Sequence, residues 1–261
     1  VRLARIAHPE GVAFAAIVGE ADNPDGPLFA AEIAEHPFGK PEFTSRKWPL
    51  ADVRLLAPIL PSKIICIGKN YADHAREMGS EPPAQPVIFM KPSTAVIGPN
   101  GAIRRPVDSE RVDYEGELAV VIGQPCRDVA AADADKVILG YTIANDVTAR
   151  DQQKADGQWT RAKGYDTFCP LGPWIETSLD PTDLDIRTEL DGEVKQDSNT
   201  AFLLHTIPEL IEYVSKVMTL LPGDVILTGT PAGVGPMVAG QKVAVTVSGI
   251  GTLENTVQDR A

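Results

Sequence analysis

Two glutamates separated by one glycine run directly into an uncharged stretch: Asp113-Tyr114-Glu115-Gly116-Glu117 is followed by Leu118-Ala119-Val120-Val121-Ile122-Gly123. The apolar run is short, rich in β-branched residues and closed by glycine, which is the pattern of a buried strand. Alternate side chains of a strand share a face, so Glu115 and Glu117 project to the same side and Gly116 leaves the other bare. Two carboxylates at the mouth of a buried strand repel each other unless a cation or a shared proton intervenes. A hard divalent ion such as magnesium, manganese or calcium suits oxygen ligands. Two solvated acids on an exposed strand end are the alternative reading of an isolated pair.

Upstream, short strand-like runs alternate with turn chemistry. Val1–Ala7 and Val12–Val18 flank His8-Pro9-Glu10-Gly11 as a hairpin, and Asn23-Pro24-Asp25-Gly26-Pro27 is a second turn. The polar stretch Pro37–Pro49 reads as a surface loop. These features predict a small β module over residues 1–56 and a main domain over 57–261, entered through Ala57-Pro58-Ile59-Leu60-Pro61. Ile64–Gly68 is a compact strand, and Lys69–Gly79 is a short helical segment stopped by glycine. Val87–Lys91 is a further strand. Ala131–Leu139 reads as a short helix stopped by Gly140, and Tyr141–Thr148 as a strand entering a helix at Ala149. Lys163–Trp174 reads as a restrained loop, Asp185–Gln196 as a hairpin about Asp191-Gly192, and Gln241–Val257 as another. The longest helical pattern spans Thr206–Leu220, with Ile207, Leu210, Ile211, Val214, Val217 and Met218 forming a core-facing stripe. Strands outnumber helices without regular alternation, so the fold class is α+β and β-rich.

Several polar residues fall where these elements end. His74 and Glu77 are neighbours on one helical face: a surface pair, or a base oriented by a carboxylate. Asp146 sits at a strand end between apolar flanks, as a third oxygen ligand beside Glu115 and Glu117 or as the N-cap of the next helix. Arg150, one turn on, can pair with a carboxylate of the protein or of a substrate. Lys163 is either held by its loop or solvent-facing. Thr228–Gly235 is glycine-rich but lacks both the P-loop lysine and the dinucleotide spacing. Its glycines would let backbone amides approach an anionic group.

The chain has 261 residues, 43% hydrophobic and 23% charged, the proportions of an ordinary globular protein. A formal net charge of −12 argues against nucleic acid or an anionic membrane as partner. No apolar run approaches the roughly 20 residues of a membrane helix. Cys66, Cys126 and Cys169 are odd in number and form no C-x-x-C pair, and Val1–Ile6 lacks the apolar core of a signal peptide, so the expected compartment is the cytoplasm.

Together these stretches resemble the fumarylacetoacetate hydrolase family. The matching text is Gly68-Lys69-Asn70-Tyr71 with His74 and Glu77; Asp113–Leu118; Asn145–Asp151 with Gln153; Lys163 ahead of Asp166–Pro173; and Thr228–Gly235, in the family's order. The resemblance implies a mixed β-sandwich or β-roll catalytic domain, a homodimer, and Mg²⁺ or Mn²⁺ on Glu115, Glu117 and Asp146. It further implies a lid carrying His74 and Glu77, a Lys163 aimed at developing negative charge, and Arg150, Gln153 and Thr230 around the substrate's carboxylate end. The implied reaction is cleavage of a C–C bond in a 2-oxo acid to give pyruvate, by acylpyruvate hydrolysis or oxaloacetate decarboxylation. The alternative within the family is isomerisation of a 2-hydroxy-diene-dioate of aromatic catabolism. Outside enzymes, the same acids would suit a structural Ca²⁺ site, and the fold a small-molecule binding protein.

Overall fold

The computed structural model describes residues 1–19 and 26–260, and it is built mainly of β-structure. The turn expected at Asn23-Pro24-Asp25 lies outside the described residues.

The apolar run after Glu117 occupies the middle of the largest sheet. The strand Gly116–Ile122 pairs antiparallel with Ile138–Asn145 on one side and Val225–Leu227 on the other. It is buried along its whole length. Leu118, Val120 and Ile122 face a core shared with Ile186, Val245 and Leu253 of a second, five-stranded sheet. Ala119 and Val121 face the opposite core, with Ile64, Cys66, Leu171 and Val225. Period-two alternation thus sorts one continuous apolar run into two cores.

Outward from this centre, Val225–Leu227 pairs in parallel with Ile64–Gly68, which carries Val87–Lys91 at its edge. In the other direction, Ile138–Asn145 pairs with Cys169–Glu176, and that strand pairs with Arg2–His8. The N-terminal hairpin Arg2–His8 and Gly11–Val18 then continues the sheet through Phe29–Ile33 to Phe43–Pro49. The second sheet runs from Glu193–Asn199 through Asp185–Leu190, Lys242–Val247 and Gly251–Asp259 to Ala102–Arg105. Four short α-helices are described: α1 (Ala72–Glu77), α2 (Arg150–Asp156), α3 (Thr160–Gly164) and α4 (Ile207–Val217).

Some expectations are corrected. Residues 43–49 form an exposed edge strand, not a loop: Thr44 and Arg46 both bond the carboxylate of Glu32, and Trp48 packs on the N-terminal core, so polar contacts and one aromatic ring hold the outermost strand. The helix at Ala131 is 3₁₀ and ends at Val137, while Gly140 lies inside the next strand, where a Cβ would meet Ile175 Cγ2 at 2.8 Å. Residues 163–174 divide between the end of α3 and the strand Cys169–Glu176. Val217, assigned to the core stripe of α4, is exposed, and the rest of the helix packs as its spacing requires. Helix α4 opens with a capping box between Thr206 and Glu209.

At Gly116 the two sheets come into close contact. A Cβ there would collide with the Thr188 hydroxyl and come within 2.9 Å of Val245 Cγ1. We expect Gly116→Ala to destabilise the protein by about 2–3 kcal/mol through overpacking, lowering the melting temperature by about 5 °C or more. Thermal unfolding followed by circular dichroism checks this; an unchanged melting temperature would mean that the sheets separate without cost.

Candidate active site

The elements bearing the polar candidates converge at one end of the large sheet. Glu115 and Glu117 head the strand Gly116–Ile122, Asp146 follows its neighbour Ile138–Asn145, and Thr230 follows Val225–Leu227. Helix α1 follows Ile64–Gly68 and carries His74 and Glu77; α2 carries Arg150 and Gln153; α3 carries Lys163. All nine residues line one cavity of about 460 Å³.

Glu115, Glu117 and Asp146 are buried, and each offers an oxygen within 4.8 Å of the others. The Lys163 ammonium donates to Glu115 Oε2 at 2.8 Å and to Asp146 Oδ2 at 2.7 Å. Arg150 donates to Glu115 Oε1 at 2.6 Å and to Asp113 Oδ2 at 2.9 Å, and its third nitrogen holds Gln153 Oε1. Arg150 therefore pairs with carboxylates of the protein itself. Asp146 is not the cap of α2, since Ala149 stands at that position. Thr230 donates to the carbonyl of Gly116 and accepts from Gln196, which also accepts the Gly116 amide, so its hydroxyl is tied to the strand that bears the acids.

Two buried oxygens are left short of donors. Asp146 Oδ1 lies 2.8 Å from Lys91 Nζ, but that ammonium already donates to the carbonyls of Val147, Lys163 and Phe168, so no hydrogen remains for it. Glu117, among the described residues, receives only the Gly229 amide, at 2.7 Å. Burial pushes the Glu117 carboxyl well above its ordinary range, and the Asp146 and Glu115 charges push it further. Burial acts on Glu115 in the same sense, but the Lys163 and Arg150 charges outweigh it and hold that carboxyl well below the ordinary range. Burial would lower Lys163, but Asp146 and Glu115 overcome this and leave its pKa raised. An all-oxygen cluster with one carboxylate in need of positive charge fits a hard divalent cation.

Helix α1 brings the second group. His74 Nδ1 is 3.1 Å from Glu77 Oε2, and the Gly233 amide donates to both Glu77 oxygens at 3.1 and 3.3 Å. The amides of the glycine-rich loop thus meet the protein's own carboxylates, Glu117 at Gly229 and Glu77 at Gly233. Gly233 has φ +101°, and a Cβ there would strike the carbonyl of Lys195. Helix α1 ends in a Schellman motif, with Gly79 at φ +70° and the Ser80 amide on the Ala75 carbonyl.

Sequence reasoning missed Lys91 and Asp113. The signal for Lys91 was a lone charge in an otherwise apolar strand. Asp113 lies at the head of the acid motif, fully buried between Arg111 and Arg150.

A family model described as fumarylacetoacetate (FAA) hydrolase C-terminal matches residues 63–258, and one described as Rv2993c-like, N-terminal matches residues 1–58. The chain is 63% identical over 260 residues to Protein Rv2993c of Mycobacterium tuberculosis, covering 98% of each. The crystal structure of 5-carboxymethyl-2-hydroxymuconate delta-isomerase from Mycobacterium smegmatis is 62% identical, with TM-score 0.93 and full coverage of both chains. The bovine mitochondrial oxaloacetate tautomerase FAHD2A is 47% identical over 193 residues, 72% of this chain and 62% of that protein. The structure of maleylpyruvate hydrolase from Sphingobium sp. SYK-6 with manganese(II) and pyruvate is 31% identical, with TM-score 0.79 and full coverage of both chains. The chain belongs to the fumarylacetoacetate hydrolase family.

A carboxyl whose folded pKa is raised favours folding most at low pH and opposes it as pH climbs through the raised value. Without metal, Glu117 therefore weakens the fold above the ordinary carboxylate range. We expect Glu117→Gln in EDTA at neutral pH to melt at or above the wild type, and Mn²⁺ to raise the melting temperature of the wild type but not of the variant. A variant that melts lower in EDTA and still gains from Mn²⁺ would refute both the unfavourable burial and the ligand role.

Proposed function

We propose that this member of the fumarylacetoacetate hydrolase family is a Mg²⁺- or Mn²⁺-dependent enzyme that cleaves a C–C bond in a 2-oxo acid to give pyruvate. The observation that carries the reading is the His74–Glu77 pair, hydrogen-bonded and lining the same cavity as the acid triad. Glu115, Glu117 and Asp146 would hold the cation. When bound, it would supply Lewis-acid polarisation of the substrate's 2-oxo group.

The protein's own groups account for the rest. With Nδ1 donating to Glu77, the neutral His74 ring keeps its lone pair on Nε2, ready to take a proton. In an acylpyruvate, His74 removes a proton from water and the oxygen adds to the distal carbonyl. The bond between that carbon and the CH₂ breaks, leaving the carboxylic acid. The electron pair becomes the enolate of pyruvate, and the CH₂ carbon then takes the proton from His74. Lys163, buried among the acids, stabilises negative charge at the 2-oxo end. Gln153, whose Oε1 is taken by Arg150, keeps its NH₂ as a donor for the substrate's carboxylate. From oxaloacetate, loss of CO₂ reaches the same enolate without an attacking water. The division at residue 56 between a small module and a catalytic domain belongs to this proposal, as does a homodimeric assembly.

The isomerase and tautomerase among the similar proteins favour a second reading, in which His74 moves a proton between carbon atoms and no C–C bond breaks. One experiment separates the two. Pyruvate release from acetylpyruvate and oxaloacetate, measured with Mn²⁺ and with EDTA, should exceed the metal-only background and vanish with EDTA. His74→Ala should lower kcat for acetylpyruvate by about 100-fold or more while Mn²⁺ still raises its melting temperature. Undiminished hydrolysis in His74→Ala would overturn the water-activating role. Absence of pyruvate with acceleration of oxaloacetate keto–enol exchange would replace cleavage with tautomerisation.

A further inference from the structure

We propose that Lys163 is the exchangeable cation of the acid cluster: its ammonium leaves Glu115 and Asp146 when a divalent ion binds there, and turns into the cavity toward the substrate. Loading with metal then also frees the lysine for catalysis. The inference rests on the metal dependence proposed above and concerns how the protein's own charge responds to it.

Three cationic side chains reach the acids, and they are held in different ways. Lys91 Nζ donates to the carbonyls of Val147, Lys163 and Phe168, so three backbone groups fix it whatever Asp146 does. Arg150 spends donors on Asp113 and Gln153 as well as on Glu115. Lys163 is different. Among the described residues, both hydrogen bonds of its ammonium go to the acid triad, to Glu115 Oε2 and Asp146 Oδ2, and its third hydrogen has no partner. Whatever takes those two carboxylates takes every hydrogen bond that holds it.

A divalent ion needs the same carboxylates. Glu115, Glu117 and Asp146 offer oxygens within 4.8 Å of one another, but Lys163 serves only two of these acids and leaves Glu117 with the Gly229 amide. An ion held by all three brings two charges in place of one and neutralises Glu117 as well. Carboxylates hold hard cations at about 2–2.6 Å, so an ammonium still bonded to the same groups would lie on the order of 4 Å from the ion, at a depth where like charges are poorly screened.

The side chain can leave while its backbone stays. The Lys163 carbonyl is held by Lys91 Nζ, and its amide donates to the Trp159 carbonyl at 2.9 Å. Beyond this anchor the aliphatic chain is free to change rotamer. The ammonium lies 4.9 Å from the centre of the Phe89 ring, and Lys163 and Phe89 both line the cavity. Contact with an aromatic ring keeps a cation from becoming wholly unpaired once it leaves a carboxylate. The donors released from the acids are then available to a substrate oxygen that gains negative charge.

Calorimetric titration of Mn²⁺ into the wild type, Lys163→Met and Lys163→Arg at one fixed pH tests the exchange. Loss of a competing cation should tighten Mn²⁺ binding about tenfold in Lys163→Met, and the guanidinium of Lys163→Arg, able to grip a carboxylate through two bonds, should weaken it by a similar factor. A lysine that merely supports the site gives the opposite sign in the methionine variant. The wild type supplies a second reading that depends on no variant's folding. In nuclear magnetic resonance, scalar coupling across the hydrogen bonds from the Lys163 ammonium nitrogen to the Glu115 and Asp146 carboxylate carbons should be present in EDTA and lost at saturating Mg²⁺, while coupling from Lys91 to its three carbonyl carbons persists. Mn²⁺ affinity not raised in Lys163→Met, or a Lys163 coupling that persists with Mg²⁺ or is missing in EDTA, overturns the exchange and leaves the metal site standing. Failure of both the wild type and Lys163→Met to bind Mn²⁺ refutes the metal dependence and the exchange together.

Discussion

Three carboxylates buried at the end of an apolar strand can persist only if positive charge is buried with them, and that requirement organises this end of the molecule. Each compensating group reaches Glu115, Glu117 or Asp146 from a different segment. Lys163 comes from α3, Arg150 from α2, the Gly229 amide from the loop after Val225–Leu227, and Lys91 from an edge strand. Removing one partner of such a cluster strands a charge in a poorly solvated interior, which costs far more than the pair itself contributes. Charge compensation therefore fastens two helices and a loop to the sheet where helix propensity alone would not. Helices α2 and α3 have seven and five residues, too short to be stable in isolation.

The compensation is uneven. Glu115 is shared between Lys163 and Arg150, and Asp113 between Arg150 and Arg111, whereas Glu117 has one backbone amide. A purely structural cluster would have no reason to leave a fully enclosed acid so poorly matched. The same asymmetry appears at Asp146, one oxygen of which is bonded to Lys163 while the other faces an ammonium with no hydrogen left to give. Both shortfalls belong to the three acids whose oxygens lie within 4.8 Å of one another. Strain of this kind is retained where the unbound protein is not the working state.

How much of this was legible in the sequence follows from which interactions are local. The alternation around Gly116 placed Glu115 and Glu117 on one face, because strand geometry alone decides that. The three-residue spacing of His74 and Glu77 placed them together for the same reason on a helix. The partners of Arg150 were not legible: its choice of Asp113 and Glu115 over a substrate depends on how α2 meets the strand. Lys91 leaves only the trace of a lone charge in an apolar strand, and its role is set when three carbonyls from residues 147, 163 and 168 close around it. Residues 43–49 resemble a loop in sequence because an exposed edge strand carries no alternating apolar pattern. Gly140 resembles a helix stop because sequence cannot distinguish a glycine that ends an element from one that lets a neighbouring strand approach.

The arrangement also separates two tasks along the cavity. Its inner end is lined by buried charged groups, most of them hydrogen-bonded to one another, and the proposed chemistry there, generation and protonation of an enolate, is common to hydrolysis, decarboxylation and tautomerisation. Its outer end is formed by Lys69, Met78, Lys154 and Trp159, and the two lysines there are unpaired and at the surface or close to it. Substitutions at the inner end disturb the burial of the acids and so the stability of the fold. Substitutions at the outer end disturb little besides what the cavity can hold. On this reading one electrophilic centre can serve different reactions in related proteins, because the group placed opposite His74 is set by the rim rather than by the acids. Specificity is then expected to vary at Lys69, Met78, Lys154 and Trp159, with His74, Glu77 and the charge cluster around Glu115 staying as they are.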